Sequence, residues 1–146
     1  MKVKFRIATI DDVEDIINLC NECFEENTNL DYAKKVFIET MDNPNDIYIV
    51  GELDGNIIAH AKVTIIKTIY EKMNTYAILN HICVKPDLRR NSIATFMLDE
   101  ITKICKENKC VAMELWSMNF RTAAHACYKK YGFNLDEAGF FSKAIN

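Results

Sequence analysis

Two adjacent arginines, Arg89 and Arg90, lie between a strand-like run that ends at Val84 and a helical pattern that begins at Ile93. The first amides of a helix lack intrahelical partners, and the helix dipole places about half a positive charge beside them. A phosphate can be held by such N–H groups alone, and two guanidinium groups add fixed positive charge. The loop over 85–91 is therefore a candidate anion-binding site, although two arginines before a helix more often form a solvated surface.

The cysteines give a weaker pattern. Cys20 and Cys23 form a C-x-x-C pair, but the pair lies near the end of a predicted helix, on its apolar stripe. A redox pair normally opens a helix, where free amides lower the thiol pKa, and a zinc site needs a second group of ligands. We therefore expect both cysteines to pack in the core, and we expect no metal site.

Hydrophobic periodicity places these residues in an α/β framework. The predicted strands are 3–7, 47–53, 56–69, 76–84, 111–117 and a short closing strand. The predicted helices are about 9–24, 30–41, 93–107 and a last one that includes 123–131. The order β-α-α-β-β-β-α-β-α-β predicts a single α/β (α+β) domain over 1–146, with a mixed central sheet and helices on both faces.

Local signals support these boundaries. Thr9 with Asp12 three residues later resembles a capping box, and Asp54-Gly55 favours the type I′ turn of a hairpin. The strand, helix and strand within 76–117 predict a right-handed crossover between parallel strands. Ligands of such sheets bind beyond the carboxyl ends of the strands, and the loop over 85–91 lies there.

Composition excludes several functions. The chain has 146 residues, 49% hydrophobic and 27% charged, with a net charge of −3 and four glycines. The size and balance are typical of one globular domain, and the acidic total predicts no nucleic-acid binding. So few glycines exclude a Walker loop and a dinucleotide-binding turn. The charged N-terminal residues and the lack of a long apolar run predict neither a signal peptide nor a membrane span, hence a cytoplasmic protein with reduced cysteines.

Two segments resemble the motifs of GNAT superfamily N-acetyltransferases. One is similar to the acyl-CoA-binding motif, Gln/Arg-x-x-Gly-x-Gly/Ala at its core, and reads Val84-x-Pro86-x-x-Arg89-Arg90-x-Ser92-Ile93-Ala94. The other is similar to the second motif of the family and reads Glu114-Leu115-x-Ser117-x-x-x-Arg121-x-x-Ala124-His125-x-x-Tyr128-x-x-x-Gly132-Phe133. One helix and one strand separate them, and the resemblance extends over essentially the whole chain.

The resemblance implies acetyl-CoA as co-substrate. By the family's pattern, the amides of 90–95 hold the pyrophosphate and residues 82–84 bond to the pantetheine arm. The residues expected to bind the cofactor are Ile82, Cys83, Val84, Arg89, Arg90, Asn91, Ser92, Ile93, Ala94, Thr95, Arg121 and Ala124. Ser92 stands where the family usually has glycine, so a positive φ there would be strained, and we expect its hydroxyl to compensate by bonding to phosphate.

The resemblance also implies direct attack of a neutral amine on the thioester in a ternary complex. Tyr128 matches the tyrosine near the leaving sulfur, where its phenol would donate a proton, although a purely core role is open. Relatives often carry a carboxylate where this chain has Asn80 and His81. Asparagine cannot take a proton, whereas an imidazole can. His60, His125 and a water chain are further candidates, so the base stays unassigned among these, and a main-chain N–H of 82–84 would bind the carbonyl oxygen.

Three functions remain open. The run with Ser117, Arg121 and Ala124-His125 resembles a branch that includes aminoalkylphosphonate and aminoglycoside-type acetyltransferases, which indicates a small-molecule amine as acceptor. Acetylation of a peptide N-terminus or lysine uses the same chemistry and needs an open groove, with 24–31 as part of its wall. A non-catalytic acyl-CoA-binding module is the third function. Sheet edges of such folds often pair, so a homodimer is also a candidate.

Overall fold

A computed structural model describes residues 2–145. Within them the main elements in chain order are β1 (Lys4–Ile7), α1 (Val13–Phe24), α2 (Leu30–Thr40), β2 (Asp46–Leu53), β3 (Asn56–Lys67), β4 (Thr75–Val84), α3 (Ile93–Glu107), β5 (Met113–Leu115) and α4 (Thr122–Tyr131). The chain divides into two compact units, Met1–Trp116 and Ser117–Asn146. The assignment of 1–146 to one domain stays a prediction.

The first unit contains the whole sheet, in the order β1-β2-β3-β4-β5. Neighbouring strands are antiparallel except for β4 and β5, which are parallel. Because α3 joins the two parallel strands, it forms the predicted crossover, and the sequence's prediction of a mixed α/β sheet is confirmed.

Helices cover both faces of the sheet, as predicted. Buried residues of α1 and α2, including Ile16 and Phe37, form a cluster with Val50 of β2. The neighbouring strand residue, Ile49, is buried as well, and adjacent strand residues point to opposite faces. Helix α3 packs on β3 and β4 through three fully buried side chains, which are Met97, Leu98 and Ile101.

The two local signals are confirmed. The Asp12 carboxylate accepts from the Thr9 backbone N–H at 2.7 Å, at a 3₁₀ turn that leads into α1. Asp54 and Gly55 have φ of 52° and 82°, and positive φ at both central residues is what a type I′ turn requires.

The closing strand predicted after the last helix is wrong for the described residues. Residues 134–145 are exposed and contain no strand. Phe140 and Phe141 are adjacent and both exposed, so this segment lacks the alternation that buries one face of a strand. The strand predicted at 111–117 is also shorter in the structure, because its pairing with β4 ends at Leu115.

Candidate active site

A bulge in β4 shapes the site. The register between β3 and β4 shifts between His60 and Lys62. His81 and Ile82 of β4 therefore face a single β3 residue, Ala61. His81 has φ of 51°, in the left-handed region, and this conformation aims its side chain out of the regular alternation of the strand.

One edge of β4 is open beyond the bulge. The pairing of β4 with β5 covers Ala77–Leu79 only. Among the strands of the described chain, residues 80–84 therefore have β3 as their one neighbour. Main-chain groups that face away from β3 here can bond to an extended ligand in the way that a further strand would.

The His81 ring meets the segment that follows α1. Its Nε2 lies 3.0 Å from Oε1 of Glu26, and the ring contacts Phe24 edge-on at 5.0 Å between centroids. In the described residues the other ring nitrogen, Nδ1, has no hydrogen-bond partner, and the side chain is 46% exposed. A carboxylate, an aromatic edge and a half-exposed imidazole therefore meet at the bulge.

Sequence reasoning missed Glu26 as a partner of His81. The two residues are separated by 55 positions, and no motif links them. The available signals were the expectation that 24–31 would form part of the wall of a peptide groove and the acidic character of that segment. Asn80 is exposed beside His81, on the same strand.

His60 is buried and takes no part in this surface. Its Nδ1 donates to the Ile49 carbonyl oxygen at 2.8 Å. Burial lowers the pKa of His60 to about 4, so the ring is neutral near pH 7. Because its ring is buried, His60 is not placed to accept a proton from a substrate at this surface.

The loop between β4 and α3 presents unpaired amides. Arg90 and Ser92 have φ of 67° and 61°, so Ser92 adopts the left-handed conformation that glycine usually supplies. The N–H groups of 90–92 donate to no main-chain oxygen of the described chain. The amides of Ile93–Thr95 open α3 and have no intrahelical acceptor. Six consecutive residues, 90–95, thus carry N–H groups available to an anion.

Side chains of the same loop hold its shape. Arg89 Nε donates to the Val84 carbonyl oxygen at 3.2 Å, and Asn91 Nδ2 donates to that of Leu88 at 2.9 Å. The Arg90 side chain is exposed. Arg89 and Asn91 therefore brace the turn, and Arg90 extends from it.

The two cysteines predicted to be core residues differ in burial, since Cys20 is buried and Cys23 is half-buried. Cys83, assigned to the cofactor by the family resemblance, is buried as well. None of the six cysteines forms a disulfide, and the residues that the structure describes contain no group of three or more side chains suited to a metal ion.

None of the helices within residues 2–145 has the length and apolar character of a membrane span.

The second unit carries the remaining predicted residues. The Arg121 guanidinium lies 5.0 Å from the centre of the Phe120 ring, just before α4. Ala124 and Tyr128 are one turn apart on α4, and the Tyr128 ring contacts Phe133 edge-on at 5.9 Å. Their roles stay predictions.

Comparison with known proteins gives one family. The model of the Acetyltransferase (GNAT) family matches residues 12–133. A search of curated protein sequences gives no match. Because the family model matches more than half of the chain, the chain belongs to the GNAT acetyltransferase family and is an acetyl-CoA-dependent acetyltransferase.

Solved structures share the fold at low sequence identity. The chain is 19% identical to a transcriptional regulator from Bacillus halodurans C-125, with a TM-score of 0.89 and coverage of 98% of this chain and 100% of that one. It is 18% identical to glucosamine-6-phosphate N-acetyltransferase from Arabidopsis thaliana, with a TM-score of 0.84 and full coverage of both chains. An aminoglycoside N-acetyltransferase in complex with CoA is 16% identical, with a TM-score of 0.85 and coverage of 98% and 95%.

Proposed function

We propose that this enzyme transfers the acetyl group of acetyl-CoA to a primary amine of a small cationic molecule, with both substrates bound together. The observation that carries the proposal is the contact between His81 and Glu26 at the β4 bulge. It combines a proton acceptor with a fixed negative charge that attracts an ammonium group. The bulge also adjoins the open strand edge, which leads to the residues 90–95 with available N–H groups, called here the amide-rich loop.

The residues present in and beside this loop suit the groups of acetyl-CoA. The amides of 90–95 bind the pyrophosphate, and the exposed Arg90 adds positive charge beside it. The open edge of Ile82–Val84 bonds to the amide groups of the pantetheine arm. The Ser92 hydroxyl, at the N-terminus of α3, donates to a phosphate oxygen. The family resemblance also assigns Arg121 and Ala124, which belong to the second unit, to the cofactor.

His81 removes the proton from the substrate ammonium. Glu26 accepts a hydrogen bond from Nε2–H, which leaves the lone pair of the neutral imidazole on Nδ1. Nδ1 takes the proton, while the edge contact with Phe24 holds the ring. Glu26 is thus a positioning residue, and the carboxylate also stabilises the imidazolium that forms.

Two further groups complete the transfer. A main-chain N–H of Ile82–Val84 that faces away from β3 donates to the acetyl carbonyl oxygen as negative charge develops there. The family resemblance assigns to the Tyr128 phenol, in the second unit, the donation of a proton to the departing thiolate. Asn80 hydrogen-bonds to the acceptor amine and leaves proton removal to its neighbour.

Charge near the bulge supports a small cationic acceptor. Glu25 and Glu26 are exposed, and both lie in the short segment between α1 and α2. One of the structural neighbours is described as bound to a bisubstrate analogue of CoA and acetylneamine. The structural match to that neighbour covers the full length of both chains. That similarity of fold, together with the acidic segment, favours a polyamine-like or aminoglycoside-like amine.

A thiol-release assay tests the proposal. The enzyme with acetyl-CoA is offered polyamines, aminoglycosides, aminophosphonates and short peptides of matched amine concentration. We expect CoA release with at least one free small amine, at a kcat/KM at least tenfold above that for every peptide. Faster turnover of a peptide would show a peptide acceptor. No release with any amine between pH 7 and 9, with acetyl-CoA bound, would overturn the enzymatic proposal in favour of a binding module.

A further inference from the structure

Three thiols meet where α1 packs against the end of β4. Cys20 and Cys83 are buried in the same hydrophobic cluster, and the half-buried Cys23 packs against it. The Cys83 thiol interacts with both of the other thiols. Cys23 Sγ also lies 3.5 Å from the Val84 carbonyl oxygen, which accepts from Arg89 Nε as well. Two buried thiols, one half-buried thiol and a guanidinium therefore share one small region of the first unit.

The thiols of this cluster differ in reactivity. A hydrogen bond from Cys83, together with the Arg89 guanidinium, lowers the pKa of Cys23 to about 7, against the opposing effects of burial and the Glu22 charge. The same contacts with Cys20 and Cys23, with burial, raise the pKa of Cys83. The neighbouring guanidinium therefore favours the thiolate form at Cys23, whereas burial among other thiols disfavours it at Cys83.

A second pair of thiols provides an internal comparison. Cys105 and Cys110 interact near the end of α3. Burial, with the neighbouring Cys110, raises the pKa of Cys105 to about 12, and burial also raises the pKa of Cys110. No neighbouring cation is among the influences on these two thiols, so we expect them to react slowly with oxidants although they are close together.

We propose that Cys23 is an oxidation site that forms a reversible disulfide with Cys83 in the presence of a hydroperoxide. The Cys23 thiolate attacks one peroxide oxygen, the O–O bond breaks, and the departing hydroxide takes a proton to become water. The resulting sulfenic acid is attacked by the Cys83 sulfur, so that the S–S bond forms and a second water leaves. The two thiols together lose two electrons and two protons, and hydrogen peroxide is reduced to two waters.

The disulfide has a consequence for the proposed cofactor site. It links α1 to the strand end that leads into the amide-rich loop, and it removes the thiolate that faces Arg89. If Cys83 and Val84 hold the pantetheine arm, oxidation weakens acetyl-CoA binding, and a dithiol reductant restores it. This consequence depends on the proposed function, whereas formation of the disulfide does not.

Intact mass and peptide mapping test the disulfide directly. We expect a small excess of hydrogen peroxide at pH 7.5 to lower the mass by about 2 Da, the loss of two hydrogens. Cleavage after lysine, arginine and Glu22 separates the three cysteines, and the linked peptides should contain Cys23 and Cys83. Cys23→Ser and Cys23→Ala should both lose this link, and Cys110→Ser should keep it. In Cys83→Ser, dimedone should capture a sulfenic acid at Cys23.

Other linkages would overturn the inference. A link between Cys105 and Cys110 that forms as fast, or a link between Cys20 and Cys23, would show that proximity alone governs oxidation. Unchanged mass after treatment, in protein whose thiols are fully reduced at the start, would show that Cys23 is not activated. Acetyl-CoA affinity is measured separately, so an unaltered affinity after oxidation would contradict the cofactor site and leave the disulfide established.

Discussion

The role proposed for His81 depends on one unusual backbone angle. In a regular strand its side chain would continue the alternation of β4, but φ of 51° and the bulge turn it toward the segment after α1. Histidine tolerates the left-handed region better than most residues, and a branched side chain would not. The position is therefore specified by backbone conformation as well as by side-chain chemistry.

Glu26→Gln should lower kcat/KM at least tenfold near pH 7, because an amide does not stabilise the imidazolium at His81. The loss should shrink at pH values above about 9, where more of the amine is neutral without help. A pH–rate profile with the best amine checks this. Glu25→Gln removes one charge from the neighbouring exposed residue, and its pH–rate profile should run parallel to that of the wild type. Parallel profiles for wild type and Glu26→Gln would contradict the positioning role.

Asp12 links stability to acidic pH. Its carboxylate accepts from Arg6 at 2.7 and 2.9 Å and from the Thr9 N–H at 2.7 Å. The hydrogen bonds from Arg6 hold the pKa of Asp12 at about 2, below its ordinary value of 3.8. Because the folded-state pKa is the lower one, this contribution is present above about pH 4 and is lost as the pH falls toward 2.

Asp12→Asn should therefore reduce the free energy of unfolding at pH 7 by about 1–3 kcal/mol, since a charged partner of Arg6 is removed. The difference from wild type should narrow as the pH falls from about 4 to about 2. Urea unfolding at several pH values measures both effects. Asp11→Asn, at the exposed neighbouring position, serves as the control and should change stability by less than about 0.5 kcal/mol. An equal effect of both substitutions at every pH would refute the assignment.

At the scale of elements, the start of α3 combines a helix N-terminus with two residues of positive φ. Ser92→Ala should raise the dissociation constant of acetyl-CoA roughly three- to tenfold, because one hydrogen bond to phosphate is lost. Ser92→Gly removes the same hydroxyl and also relieves the left-handed strain, so it should bind more tightly than the alanine variant. Isothermal titration measures both. Unchanged affinity in Ser92→Ala would show that the hydroxyl does not contact phosphate.

The elements were the most predictable part of the molecule. The apolar spacing of Ile93, Met97 and Ile101 predicted α3 with its observed bounds, and Asp54-Gly55 predicted the hairpin turn. Both signals are local, since they depend on residues a few positions apart. The closing strand failed because a strand depends on a partner edge, which its own sequence does not specify.

The site was predictable in part for the same reason. The amide-rich loop follows from a strand, a turn and a helix that are contiguous in sequence. The contact between His81 and Glu26 depends on a bulge in β4 and on where α1 ends, so no local pattern encodes it. The Cys23–Cys83 neighbourhood likewise arises from packing between two elements distant in the chain.

At the scale of the whole sheet, α3 contributes to stability because its buried side chains cover one face of the sheet. Leu98 is fully buried, whereas Phe96 on the same helix is 53% exposed. Leu98→Ala should cost about 2–5 kcal/mol of unfolding free energy, because it leaves a cavity against the sheet. Phe96→Ala should cost less than about 1 kcal/mol. Thermal and denaturant unfolding compare the two, and a greater loss for Phe96→Ala would mean that α3 packs through a different face.

A crystal structure of the enzyme with acetyl-CoA tests the proposed cofactor site most directly. We expect the diphosphate to accept hydrogen bonds of about 2.7–3.2 Å from main-chain N–H groups of 90–95, with the pantetheine arm along the open edge of Ile82–Val84. Acetyl-CoA ordered elsewhere, with those amides facing solvent, would contradict both the site and the mechanism built on it.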